Sequence, residues 1–198
     1  NLVFSDDKGS IYNINKFGDV IWKKNIYSKT YKRLFKSLRI SINKNKLYVS
    51  DNLGFVYLIN LSDGSLVWIK NFDVPGASYI KVSDDYIFLI DQDNKILCIN
   101  PENGNLIWDL LSIASFIKSN NLLSLAISDK GFLFANTSSA DLYKINPKNG
   151  QVVWASNTAE SLYSNATDFY KASQILISKN ELIYSSGKST FSQNTLTG

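Results

Sequence analysis

A Gly-x-x-x-Trp pattern recurs four times along the chain and uses all four of its tryptophans. The copies run from Gly18 to Trp22, Gly64 to Trp68, Gly104 to Trp108 and Gly150 to Trp154. Successive tryptophans are 46, 40 and 46 residues apart, and Gly198 stands where the glycine of a fifth copy belongs. A period of about 40 to 50 residues filled with short strands is typical of one β-propeller blade per repeat. These glycines and tryptophans are therefore predicted to form the structural repeat motif of an array of blades.

Each copy contains three short runs with the composition of β-strands. The first run is rich in β-branched and aromatic residues, as in 87–90, and it closes on residues that tolerate turn dihedrals. The second run alternates, so that Tyr57 and Ile59 share one face and Leu58 points to the other. An Asp-Gly or Asn-Gly pair, such as Asp63-Gly64, then predicts a hairpin turn before the third run.

The third run ends in the tryptophan, with an apolar residue two positions before it. These residues are Leu66, Leu106 and Val152. We expect them to share a buried face with the indoles, which wedge between blades as packing residues rather than stack on a ligand. Burial of one tryptophan removes about 150 to 250 Å² from water, or roughly 4 to 6 kcal/mol of gross stabilisation. The linker that follows each tryptophan has room for a fourth strand, which we expect at the outer edge of the blade.

The length of the chain limits the number of blades. At about 45 residues per blade, 198 residues supply four blades and the start of a fifth. We therefore predict an all-β fold: a single β-propeller segment over 1–198, built of four-stranded antiparallel blades and forming about four to five blades of a ring of eight. On this interpretation the chain is a fragment of a larger propeller. Its approximate repeats are 1–45, 46–84, 85–130, 131–180 and an incomplete 181–198.

Most of the net charge of +4 comes from the segment 23–39, which has seven basic residues and no acidic residue. Within it Tyr31, Leu34, Phe35 and Leu38 fall at helical spacing, which makes a short amphipathic helix a candidate. Such a helix would meet an acidic partner or a lipid headgroup surface, and the alternative is a solvated connection. The remaining lysines are scattered through every repeat, so no nucleic-acid partner is expected.

The residue types that build most catalytic and metal sites are scarce in this chain. It has no histidine, which excludes Ser-His and Cys-His arrangements from it. The single cysteine, Cys98, lies in a second run and is interpreted as a small packed residue. The neighbouring carboxylates each lie where a strand gives way to a turn and are interpreted as turn residues: Asp6 and Asp7, Asp84 and Asp85, Asp91 and Asp93. No catalytic, cofactor-binding or metal-binding residue is predicted, and no cofactor.

The repeat resembles that of the pyrroloquinoline-quinone-like β-propellers. The shared pattern is a first strand ending in Asp or Asn, then Gly-x-hydrophobic-Tyr-x-Ile-Asn, then Asn/Asp-Gly followed by hydrophobic residues and Trp. It covers essentially the whole chain and is specific for the fold family, not for one activity. The stretch 87–96, and the Gly-x-x-x-Trp run that continues into Leu110 and Leu111, look like a blade of the BamB branch.

The BamB branch comprises non-enzymatic periplasmic lipoproteins of outer-membrane assembly, so the resemblance implies a scaffold that binds proteins. It also implies a periplasmic location, the outer-membrane β-barrel insertase as partner, and membrane association only through an anchor outside this segment. Residues that contact the partner are not assigned. The alternative is part of a quinoprotein dehydrogenase, a likeness that would imply a vicinal cysteine pair, a calcium ligand set and an Asp base. A periplasmic propeller that binds a ligand is a third interpretation.

Overall fold

The computed structural model describes residues 1–31, 33–112, 122–157, 173–185 and 189–198. Within these ranges, eighteen β-strands form five separate sheets, and every pair of neighbouring strands in a sheet is antiparallel. The strands of each sheet follow one another in chain order, so each sheet is a meander. This architecture confirms the all-β propeller fold.

The first sheet contains β1 (Leu2–Ser5), β2 (Ser10–Ile14) and β3 (Val20–Asn25). The second contains β4 (Leu38–Asn43), β5 (Lys46–Asp51), β6 (Phe55–Asn60) and β7 (Leu66–Asn71). The third contains β8 (Lys81–Val82), β9 (Ile87–Ile90), β10 (Lys95–Ile99) and β11 (Leu106–Leu111). The fourth contains β12 (Ser124–Ile127), β13 (Leu133–Asn136), β14 (Asp141–Ile145) and β15 (Val152–Asn157). The fifth contains β16 (Leu176–Ser178), β17 (Glu181–Ser185) and β18 (Thr190–Asn194).

The hydrophobic core lies between neighbouring sheets, which we call blades. In the second blade, Tyr57 and Ile59 pack towards Ile11 of the first blade. Leu58, on the opposite face of the same strand, packs towards Ile87 of the third blade. Both faces of the central strands are buried because each inner blade is covered on two sides. The alternation seen in the sequence therefore separates two interfaces, not a core from solvent.

In each complete blade the fourth strand comes from the linker, and it lies at the inner edge of the sheet, whereas the sequence predicted it at the outer edge. The tryptophan strand β7 forms one edge of the second blade, whereas the linker strand β4 forms the other and pairs with β5. The first strands of successive blades, β4, β8 and β12, approach one another, which identifies theirs as the inner edge. The expectation of an outer linker strand is therefore wrong, because a linker strand pairs with the run that follows it and leaves the tryptophan strand outermost.

The basic segment 23–39 does not form the candidate amphipathic helix. Its described part contains a 3₁₀ turn at Lys29–Tyr31, and Leu38 already belongs to β4. Lys36 is 2% exposed and donates from Nζ to the carbonyl oxygen of Leu34 at 2.8 Å. Lys32 lies outside the described residues. A helix is disfavoured here because strand pairing takes the end of the segment and leaves fewer residues than an isolated helix needs.

The third run also departs from the predicted pattern of burial. Leu66 and Leu106 are each 47% exposed, whereas Trp68 and Trp108 are half-buried. A β-bulge explains the difference, because the register pairs Trp68 with Leu58 but Leu66 with the next residue, Ile59. Leu58 and Ile59 point to opposite faces of the sheet, so their partners Trp68 and Leu66 do as well. Val152, 37% exposed, precedes the same type of bulge in the fourth blade.

Candidate functional site

Each tryptophan of the repeat motif closes onto a turn of the next blade. The indole Nε1 donates a hydrogen bond to a main-chain carbonyl oxygen there: Trp22 to Leu61 at 2.9 Å, Trp68 to Pro101 at 3.2 Å, Trp108 to Pro147 at 2.7 Å and Trp154 to Thr195 at 3.4 Å. The polar edge of each half-buried indole is therefore satisfied by the neighbouring blade. This contact links successive blades at one end of the molecule, which we call the motif end.

The motif glycines lie directly beneath the indoles of the preceding blade. A Cβ atom on Gly64, Gly104 or Gly150 would lie within 2.9 Å of an indole carbon. The same three glycines have φ between 71° and 72°, in the left-handed region. Both the close approach and the backbone conformation therefore require glycine. Gly198 has a φ of 85°, and a Cβ atom placed on it would lie 3.2 Å from the ring of Trp154. The Cβ position of Gly18, in contrast, has no atom within 4 Å.

The asparagine that ends the Tyr-x-Ile-Asn part of the repeat, to which the sequence assigned no role, holds the motif turns. Asn100 Oδ1 accepts hydrogen bonds from the backbone N–H groups of Glu102 at 2.8 Å and Asn103 at 3.2 Å. Equivalent side-chain-to-backbone bonds are formed by Asn15, Asn60, Asn146 and Asn194. Asparagine favours turns because its side chain bonds to the backbone two residues on. Its recurrence just before every motif glycine is the signal that could have revealed this role.

The carboxylates at the ends of first runs stabilise turns at the opposite end of the blades. Asp91 Oδ1 accepts hydrogen bonds from the backbone N–H groups of Asp93 at 2.8 Å and Lys95 at 2.9 Å. Asp6 bonds in the same way to the N–H groups of Lys8 and Ser10. These bonds confirm the turn interpretation for Asp6 and Asp91. Burial raises the pKa of the Asp91 carboxyl, and its backbone hydrogen bonds offset part of that rise because they stabilise the charged form.

Asp51 adds two tyrosine hydroxyls to the same arrangement. Its Oδ1 accepts from the backbone N–H groups of Leu53 and Phe55, and its Oδ2 accepts from Tyr27 at 2.6 Å and Tyr57 at 3.2 Å. Asp51 is fully buried. Burial first, and then the hydrogen bond to Asp51, raise the pKa of the Tyr27 hydroxyl far above its usual range. Through these hydrogen bonds Tyr27, which follows the last strand of the first blade, is held to Asp51 of the second blade.

Cys98 occupies a position that varies between blades in an informative way. It is fully buried in β10, and burial raises the pKa of its thiol to about 12. The packing role predicted for it is thus confirmed. The equivalent residues of the first, second and fourth blades, each paired with the tryptophan of its blade, are Asn13, Leu58 and Lys144. Asn13 and Lys144 donate to the carbonyl oxygens that Trp22 and Trp154 also use, at 3.1 Å and 2.8 Å.

Two clefts open at the motif end, one between the fourth and fifth blades and one between the third and fourth. The first has a volume of about 230 Å³ and reaches Lys144. The second has a volume of about 390 Å³ and lies against Tyr86, Phe88 and Pro147. Phe132 and Lys130 line both clefts. These clefts are concave places where groups of a bound molecule would contact side chains of more than one blade.

No group of three or more Cys, Asp or Glu residues in the described parts of the chain is arranged to hold a metal ion. Nor is any helix in the described ranges both long enough and apolar enough to cross a membrane.

Comparison with solved structures shows the same fold. BamB from Moraxella catarrhalis matches with a TM-score of 0.83 at 11% sequence identity, covering 99% of this chain and 59% of that chain. The computationally designed Ika8 protein matches with a TM-score of 0.75 at 11% identity, covering 97% and 54% of the two chains. Sqt1 from Saccharomyces cerevisiae matches with a TM-score of 0.74 at 12% identity, covering 99% and 56%. The chain thus spans little more than half the length of these three structures.

Sequence comparison gives a family. A search of curated protein sequences found no significant match. The family model described as outer membrane protein assembly factor BamB, in contrast, matches residues 7–198, nearly the whole chain. The chain therefore belongs to the BamB family of PQQ-like β-propellers.

Proposed function

We propose that this chain is part of a non-enzymatic β-propeller scaffold that binds proteins during assembly of outer-membrane β-barrel proteins. Membership of the BamB family supports the proposal, as does the propeller fold shared with BamB from Moraxella catarrhalis. The proposed location is the periplasm, with any membrane association provided by an anchor outside this segment. The proposed partner is the outer-membrane β-barrel insertase.

The observation that carries the proposal is that the repeat motif holds neighbouring blades together. All four indole N–H groups donate to carbonyl oxygens of the next blade, and three motif glycines admit an indole where a side chain would clash. The repeated residues therefore stabilise the array of blades. Recognition is left to the turns and clefts between blades, which suits a rigid scaffold that presents loops to another protein.

Binding to the purified periplasmic domains of the insertase tests this proposal. The full-length protein containing this chain is immobilised, and the insertase domains are passed over it at increasing concentration. Saturable binding that competes with the soluble full-length protein supports the scaffold. Absence of binding, together with tight uptake of pyrroloquinoline quinone and calcium and with dye-linked alcohol oxidation, would instead establish the dehydrogenase alternative.

A further inference from the structure

Lys144 is a charged residue at a position that is occupied by an uncharged residue in the first, second and third blades. Its equivalents in the second and third blades are Leu58 and Cys98, both buried in the core between blades. Lys144 itself is only 5% exposed. Burial of an ammonium group is unfavourable unless it is well paired, and a leucine evidently fills this position in the same architecture. The lysine is therefore a costly choice that packing alone does not explain.

Among the described residues, the Lys144 ammonium has no anionic partner. Its Nζ donates to the carbonyl oxygen of Thr195 at 2.8 Å and lies 4.4 Å from the centre of the Phe132 ring. Both contacts are with neutral groups. Desolvation lowers the pKa of Lys144, and the nearby charge of Lys130 lowers it further. An anion placed beside Nζ would stabilise the charged form and so oppose both effects.

The cleft that leads to Lys144 gathers more positive than negative charge. Among the described residues, Lys130 and Lys179 line it with Lys144, and Asp129 is the one acidic residue there. In the part of the chain that the structure describes, none of these four side chains belongs to an ion pair. Lys130, Lys179 and Asp129 are exposed, so they can reorient towards a bound group. The cleft is thus preorganised for negative charge, with one fixed ammonium at its base and two movable ones at its rim.

The adjoining cleft has a different character. It is lined mainly by the aromatic and apolar side chains of Tyr86, Phe88, Ile127, Phe132 and Pro147. Its charged lining residues in the described ranges are Lys130, Lys148 and Asp85, so positive charge outnumbers negative charge here too. Lys130 and Phe132 line both clefts, so the two clefts adjoin each other across the third, fourth and fifth blades. We call the two clefts together the lysine groove. Its basic end and apolar end are separated by the width of one blade.

We infer that the lysine groove binds an acidic segment of a partner protein, with a carboxylate beside Lys144 and apolar side chains against Tyr86 and Pro147. This inference rests on the proposed scaffold function and names the chemistry of its partner. The groove favours a peptide over a lipid surface because Lys144 is only 5% exposed within a cleft of about 230 Å³, where a single side chain enters more readily than a flat bilayer surface. The apolar end likewise offers contacts that an inorganic anion would not use.

A matched pair of labelled peptides tests the inference by fluorescence anisotropy with the full-length protein. In one peptide glutamate alternates with leucine, and in the other glutamine replaces every glutamate. We expect the glutamate peptide to bind, and Lys144→Leu to weaken it about tenfold to a hundredfold, the loss expected for a hydrogen bond to a charged group. Lys144→Leu introduces the residue type that Leu58 provides at the equivalent position of the second blade, so thermal unfolding should show no loss of stability. Lys8→Gln, at the exposed opposite end, is the control and should bind as tightly as the wild type.

Four outcomes would overturn the inference. Equal binding of the two peptides would show that carboxylates are not recognised, and unchanged affinity in Lys144→Leu would show that the groove is not the site. Lys144-dependent binding to phosphatidylglycerol vesicles without binding to the glutamate peptide would assign the charge to a lipid surface. If Lys144→Leu still binds the insertase, the scaffold proposal is retained and the lysine groove is rejected as the binding site. The two proposals can therefore fail separately.

Discussion

Trp108 donates its indole N–H to the carbonyl oxygen of Pro147, 2.7 Å away in the next blade. The thiol of Cys98 lies 3.9 Å from the same oxygen. One main-chain carbonyl thus receives contacts from two strands of the neighbouring blade. Pro147 precedes the turn that Gly150 completes, so the bond holds the motif turn of one blade against the tryptophan strand of another.

Replacement of Trp108 by phenylalanine tests the hydrogen bond separately from the ring. The phenyl ring retains much of the apolar contact, whereas the Pro147 carbonyl loses its indole donor and keeps only the long contact with the Cys98 thiol. We expect a loss of about 1 to 2 kcal/mol in the free energy of unfolding, measured by urea denaturation. Val153→Ala, at a position 50% exposed on the tryptophan strand of the fourth blade, should change stability by no more than about 0.5 kcal/mol. Equal effects of the two substitutions would contradict a structural role for the indole N–H.

Asn100→Ala should destabilise the motif turn of the third blade. The substitution leaves the backbone N–H groups of Glu102 and Asn103 without the side-chain acceptor that they use. We expect a loss of about 1 kcal/mol, by analogy with side chains that cap helices. Asn100→Asp keeps an acceptor oxygen and is the matched control, expected to restore most of the loss in a thermal unfolding assay. A destabilisation by aspartate as large as that by alanine would argue against the turn bond.

Tyr27→Phe should cost more stability than the same change at Tyr12. Tyr27 bonds to the fully buried carboxylate of Asp51 at 2.6 Å, whereas Tyr12 bonds to the part-buried Asp6 at 3.0 Å. A hydrogen bond to a charged group contributes about 1.5 to 3 kcal/mol when it is buried. Chemical denaturation of both variants should therefore place Tyr27→Phe near that range and Tyr12→Phe well below it. The reverse order would show that the Asp51 cluster is not a stabilising unit.

Cys98 should remain unreactive in the folded protein and should make stability fall at alkaline pH. Burial raises its pKa from about 9 to about 12, so the folded state keeps its proton after the unfolded state has lost it. The contribution is fully present below about pH 9 and is lost as pH rises towards 12, on the order of 1 kcal/mol per pH unit. Unfolding measured across this range should show a flatter profile for Cys98→Ala. Rapid labelling of native Cys98 by a thiol reagent would contradict its burial.

The features that could be predicted from the sequence are those that repeat in it. The recurring glycine and tryptophan indicate blades, and the alternation at Tyr57 and Ile59 locates a central strand. The linker strands show no comparable repeat: β4 has six residues and β8 has two. Their place at the inner edge is fixed by pairing with the run that follows, a tertiary contact that composition does not encode.

The bulge and the lysine groove were missed for related reasons. Strict alternation places Leu66 beside Trp68, and only the register with β6 shows that one extra residue separates their faces. Lys144 reads as a solvent-facing residue of an alternating strand, because the sequence does not show that a further blade covers that face. Asn100 was different, since its place before the motif glycine was visible in every repeat.

A double-mutant cycle between Trp108 and Gly150 tests the contact between blades most directly. Gly150→Ala adds a Cβ that would lie 2.8 Å from the indole and strains a backbone with a φ of 72°. When Trp108 is also replaced by leucine, only the backbone strain should remain, so we predict a coupling free energy of about 1 kcal/mol or more between the two sites. Additive losses in the free energy of unfolding would contradict the packing of each tryptophan on the glycine of the next blade.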